Sequence, residues 1–129
     1  MMFYMIYSSI SNFDIDLRYL CITGGDTLEE KVLRKLFLGF IHIHILHHAS
    51  KHPIFGAWMT EELKKHGYNI SSGTLYPILH TMEADGLLLK EEKIIEGKVR
   101  KYYTTTAQGN TVLVEARKKA YELFKEIKD

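Results

Sequence analysis

A chain of 129 residues, 46% hydrophobic and 26% charged, has the make-up of one globular domain large enough to bury a core. Its formal net charge of +1 does not by itself suggest nucleic acid. Its single cysteine, Cys21, excludes a disulfide framework and a cysteine-based zinc site, which leaves a cytoplasmic protein as the default.

Charge is unevenly spread. Residues 1–28 hold Arg18 against Asp14, Asp16 and Asp26, a balance of −2, so the remainder carries +3. The opening run "MMFYMIYSSI" is apolar but too short to span a bilayer, and it lacks the cationic start of a signal peptide. No membrane partner is expected. Residues 1–28 are expected to form an N-terminal extension, either an added packing element, poorly ordered, or foreign to the native protein. Gly24-Gly25-Asp26 can be encoded by a ribosome-binding sequence, with Leu28 as a TTG start just beyond it.

From Glu29 the pattern is regular. "EEKVLRKLFLGFIHIHILHHASKH" reads as a long helix, acidic at its front and basic at its end, as the helix dipole favours. Val32, Leu36, Phe40 and Ile43 cover one side, and Leu33, Phe37, Ile41 and Ile45 the adjoining side. An apolar arc this wide implies burial from two directions, the second being a partner subunit. Pro53 ends the helix. "FGAWMTEELKKHG" follows, with Phe55, Met59 and Leu63 at intervals of four and Gly67 as a C-terminal cap.

Ser71 caps a third helix, in which Leu75, Ile78, Leu79 and Met82 make a buried stripe. Pro77 sits in its second turn, at a cost of up to about 3 kcal/mol. Beyond Gly86, "LLLKEEKII" and "VRKYYTTT" read as strands joined through Glu96-Gly97-Lys98, a hairpin. Thr106 then caps a last helix. Its Leu113, Ala116, Ala120, Leu123 and Ile127 step by 3 and 4 as a heptad seam, which predicts a dimerisation element over residues 106–129. Helix, helix, turn, helix and hairpin over residues 29–105 describe a winged helix-turn-helix: a mainly α fold with a small β-hairpin (α+β).

Ser71-Ser72-Gly73-Thr74-Leu75-Tyr76-Pro77 resembles the S-P-G-T-L-Y-P signature of the PadR-like transcriptional regulators. Glu83-Ala84-Asp85-Gly86-Leu87-Leu88 is similar to their L-E-x-x-G-L-I stretch. Gly97-Lys98-Val99-Arg100-Lys101-Tyr102-Tyr103, followed by Thr106-Ala107-Gln108-Gly109, resembles G-R-x-R-K-Y-Y-x-L-T-x-x-G. The three motifs fall in family order between about Gly39 and Gly109. Departures are Ser72 for Pro, Ala57-Trp58 for a common Tyr-Glu, and Thr105 for Leu. The resemblance implies a homodimeric regulator that binds double-stranded operator DNA, with an effector that the sequence does not identify.

The residues support that implication separately. The inward stripe leaves Gly73, Tyr76, Pro77, His80 and Ala84 on the far face of the third helix. Free N–H groups and the hydroxyls of Ser71, Ser72 and Thr74 suit a phosphate. Lys98, Arg100 and Lys101 give the wing its charge, and of Tyr102 and Tyr103 one is expected to pack and one to reach out. The expected reader of the major groove is therefore helix 71–85, with wing 94–101 on adjacent DNA and repression as the outcome. The alternative is a winged helix used for protein–protein contact.

His44, His47 and His48 have i, i+3, i+4 spacing, which allows two of them to share a metal ion. No carboxylate or cysteine accompanies them on that segment of the helix, so core and helix-end histidines are the expectation, with no cofactor. No nucleophile–base order or phosphate-binding loop is present, and an enzyme is not expected.

Overall fold

The computed structural model describes residues 27–129 and the backbone of a short strand, β1 (Ile15–Asp16). The other expectations for the first 26 residues, Cys21 included, lie outside the described residues. Helix α1 (Leu28–Lys51) starts on a capping box that the sequence reading left with the extension. Thr27 accepts from the Glu30 N–H, and the Glu30 carboxylate accepts from the Thr27 N–H at 2.9 Å. The helix buries Phe37, Ile41, Ile45, Leu46 and Ala49, whereas Val32, Leu33 and Leu36 stay exposed in the single chain. The wide apolar arc is thus covered along its second half alone.

Pro53 breaks the helix, and Ile54 then pairs with the wing. Its N–H donates to the Tyr103 carbonyl at 2.9 Å, and the Tyr103 N–H donates back at 2.8 Å. Helix α2 (Gly56–Lys65) follows, anchored by Met59 and Leu63, both fully buried. Phe55, expected to anchor the same face, is its half-buried N-cap instead. Gly67, at φ 86°, turns the chain into β2 (Tyr68–Asn69), which pairs in parallel with β1, Ile15 opposite Tyr68.

Helix α3 (Ser72–Ala84) is capped by Ser71, whose hydroxyl accepts from the Thr74 N–H at 3.3 Å. Leu75, Leu79 and Met82 are wholly buried. At ~1.5–3 kcal/mol for each such side chain, their burial outweighs the roughly 3 kcal/mol that an internal proline costs. Gly86, at φ 81°, ends the helix in a conformation that favours glycine.

Strands β3 (Leu88–Ile95) and β4 (Lys98–Thr105) pair antiparallel, with Ile95 opposite Lys98. The loop is therefore Glu96-Gly97, one residue shorter than the sequence suggested. Both have positive φ, 51° and 76°, as a type I′ hairpin turn requires.

Helix α4 (Ala107–Ile127) is locked to the end of α3. The Thr106 hydroxyl donates to the Gly86 carbonyl at 2.6 Å, and the Thr106 N–H donates to the Leu87 carbonyl at 3.1 Å. Gly109 lies so close to that Leu87 carbonyl that no Cβ would fit. Two separate sequence motifs, Gly86-Leu87 and Thr106–Gly109, are one contact in space.

Candidate nucleic-acid interface

The front of α3 is bare. Ser71, Ser72, Gly73, Tyr76, Pro77 and His80 are all exposed, and Thr74 is half-buried. A Cβ placed on Gly73 would meet no atom nearer than the Ser71 hydroxyl, 3.8 Å away. Nothing in the described chain requires a glycine there. Pro77 has no N–H, so the Gly73 carbonyl loses its usual helical donor. The Thr81 hydroxyl bonds the Pro77 carbonyl at 2.9 Å.

Tyr76 is 42% exposed, yet it is not a free side chain. Its ring lies across Gly56 at the start of α2, where a Cβ would fall 2.5 Å from the ring Cζ. The adjacent Phe55 carries the wing: its ring meets Tyr102 edge-on at 5.5 Å, and the Arg100 guanidinium sits over it at 4.3 Å. Tyr76, Gly56, Phe55, Tyr102 and Arg100 therefore make one continuous surface from α3 to the wing. The role of Gly56 is invisible in the linear pattern, since its contact lies 20 residues away.

Register sorts the wing cations. Alternation along β4 puts Lys98, Arg100 and Tyr102 on one face, and Val99, Lys101 and the buried Tyr103 on the other. Lys93 stands directly opposite Arg100 and lies over the Tyr102 ring at 5.2 Å. Lys101 instead stands opposite Glu92. Lys93, Lys98 and Arg100 thus share one face, with Glu91 on it opposite Tyr102, and Lys101, their neighbour in sequence, lies on the other face. Lys93 was missed because it precedes the turn and sits in an acidic stretch.

The seam of α4 is also divided. Leu113 is 5% exposed and belongs to the core of its own chain, whereas Leu123 and Ile127 are 52% and 61% exposed. Ala116 and Ala120 are half-buried. Ala120, Leu123, Phe124 and Ile127 line a cavity of about 630 Å³ with Phe40 and Ile43 of α1.

Two of the three histidines singled out by spacing, His44 and His48, do converge. His47 is exposed, its ring edge-on to His48 at 5.0 Å, and the third ring nitrogen that joins those of His44 and His48 is that of His66. A carboxylate does join them, Glu62 of α2. Burial, and then the charges of His66, His48 and His47, push His44 down to about 4. Burial also lowers His48, while Glu62 pulls it the other way. The Lys65 ammonium, bonded at 3.0 Å, holds the Glu62 carboxyl below its ordinary range.

Comparison with known proteins adds the family. The pattern of the Transcriptional regulator PadR-like family matches residues 45–115. "Transcriptional regulator Rv3488" of Mycobacterium tuberculosis is 44% identical over 95 residues, which span 74% of this chain and 89% of that protein. A PadR family transcriptional regulator from Eggerthella lenta is similar in structure, with a TM-score of 0.66, 27% identity, and coverage of 95% of this chain and 93% of its own. A PadR-like transcriptional regulator from Bacillus cereus has the same TM-score of 0.66 at 27% identity, over 72% of this chain and 92% of its own. No described helix is long and apolar enough to cross a membrane.

Proposed function

Because the chain belongs to the PadR-like family of transcriptional regulators, DNA-binding proteins rather than enzymes, we propose that it acts as a homodimeric repressor. Helix residues 71–85 enter the major groove, and wing residues 94–101 lie on the adjacent backbone. The observation that carries this reading is the pairing of Lys93 with Arg100 across the wing. Like charges directly opposite each other destabilise a hairpin. A phosphate between them removes that repulsion and contributes a charge-assisted hydrogen bond. The bare helix front supports the same reading, since it offers backbone N–H groups and hydroxyls to a phosphate without an intervening side chain.

Dimerisation is supported by the exposed apolar residues on both long helices, Val32 and Leu36 on α1 with Leu123 and Ile127 on α4. A partner's α4 against this surface covers them, and a small-molecule effector has its natural place in the cavity beside Phe40 and Phe124. Trp58 is not among the residues that line that cavity and lies against His48 and His52, at 5.3 and 4.8 Å.

The test is a mobility-shift titration on the protein's own upstream DNA and on random DNA, across a salt series. Lys93→Ala and Arg100→Ala should weaken both complexes equally, each shedding roughly one unit of salt slope per subunit. Lys101→Ala should do less. Tyr76→Ala should weaken the specific complex more than the random one. Undiminished binding by Tyr76→Ala and Lys93→Ala, with intact dimers, would assign this surface to a protein partner.

A further inference from the structure

His44 and His48 stand one turn apart on α1, and Glu62 of α2 stands one turn before His66, the C-cap of that helix. Each helix thus turns an i, i+4 pair toward the other. One ring nitrogen from each of His44, His48 and His66 lies within 4.8 Å of the other two. The Nε2 atoms of His48 and His66 reach the same carboxylate oxygen, Glu62 Oε1, at 3.6 and 3.7 Å.

We propose that these four side chains bind a divalent transition-metal ion of the zinc type, with three imidazoles and one carboxylate, and so tie α1 to α2. The inference stands apart from DNA binding, since none of the four residues belongs to the helix front or the wing.

The donor set selects the ion. Three imidazoles suit zinc, cobalt, nickel or copper, whereas magnesium and calcium take oxygen ligands. Ligands about 2.0–2.1 Å from a tetrahedral zinc stand roughly 3.3 Å from one another, so the three rings have only a short distance to close. His66 is the group free to make that movement. Its side chain is 41% exposed, whereas those of His48 and Glu62 are 17% and 16% exposed. The backbones behind the four ligands are held by Ile45, Met59 and Leu63, all completely buried. Access is open as well, because all four line the cavity between α1 and α4.

Simple ion pairing does not account for the cluster. Lys65 already neutralises Glu62, with its ammonium 3.0 Å from Oε2. One carboxylate with a lysine in place has no need of three further rings gathered at a single point. A cation at that point can take one nitrogen from each of the three rings, with Glu62 Oε1 beside them. His47 contributes nothing to this geometry, although its spacing made it a candidate.

The experiment uses the untagged full-length chain, stripped with a chelator and titrated with Co²⁺ and, by chelator competition, with Zn²⁺. One ion per chain is expected, with the intense visible bands of four-coordinate cobalt and a higher melting temperature in Zn²⁺. His66→Ala, at an exposed helix end where folding is not at stake, should weaken binding roughly tenfold or more and abolish the melting shift. His48→Ala should do the same, and His47→Ala should bind as the parent does. The proposal is overturned if no ion binds at micromolar Zn²⁺ or Co²⁺. Undiminished affinity in His66→Ala, or equal losses in His47→Ala and His66→Ala, would overturn it too.

Discussion

Gly56 and Tyr76 form a matched pair: the glycine leaves a flat bed on α2, and the ring fills it. Gly56→Ala should cost little in stability, since alanine is the better helix former by about 1 kcal/mol. It should nevertheless weaken DNA binding, because its Cβ drives the Tyr76 ring out of position. A double-mutant cycle checks this: Gly56→Ala should add nothing to the loss already caused by Tyr76→Ala. Additive losses would mean that the two residues act separately. Pro77 invites the opposite test. Pro77→Ala restores a helical donor to the Gly73 carbonyl at an exposed site, so unfolding should become harder by about 1–2 kcal/mol, after the proline's entropic contribution to the unfolded chain is deducted. Operator affinity should fall in the same variant, as measured by denaturant melts alongside mobility shifts. Stability and binding that rise together would deny Pro77 a part in shaping the helix front.

At the scale of elements, the wing is set by its turn and its base. Residues 91–101 are all exposed, so the hairpin beyond Tyr102 draws little on the core. It is held by the ladder, the Glu96-Gly97 turn and the rings of Phe55 and Tyr102. Gly97→Val forces a branched side chain into positive φ, at a cost of ~1–2 kcal/mol. The expected outcome is faster amide exchange confined to β3 and β4, with weaker binding to all DNA and little change in the main melting transition. Exchange that rises equally throughout α1 and α3 would show that the wing is part of the cooperative core. Helix α3 is the contrasting case. Its buried stripe is strong enough to carry a proline, which frees the opposite face for contact.

For the whole molecule, the two long helices decide the assembly. Leu123 is exposed in the single chain, so a charge there disturbs no core. Leu123→Glu should give a folded monomer by analytical ultracentrifugation, with operator binding sharply reduced. A dimer that survives this substitution would exclude the end of α4 as the interface. The parent dimer should protect an inverted repeat, its half-sites one helical turn of about 34–36 Å apart, or a multiple of it. Footprinting tests that spacing directly.

Apolar periodicity, helix caps and Gly/Pro punctuation are local quantities. They were enough to establish the order of the helices and the wing hairpin, the bare face of α3, and, through three motifs, the family, though not the short strand β2. Caps at Ser71 and Thr106 were legible because they act within one turn of the chain. Contacts between distant segments were not. Gly56 beneath Tyr76, Gly109 against Leu87, and Ile54 beside Tyr103 each join residues 20 or more apart, and nothing in either segment names its partner. The same limit hid the basic face of the wing. Lys101 lies near Arg100 in sequence and on the opposite face in space, whereas Lys93 reaches Arg100 only through the strand register. The histidines mark the boundary most clearly. Spacing along α1 singled out His44, His47 and His48, but a helix pair faces its neighbour through i, i+4 positions. Only the packing of α2 on α1 replaces His47 with His66 and adds the carboxylate of Glu62.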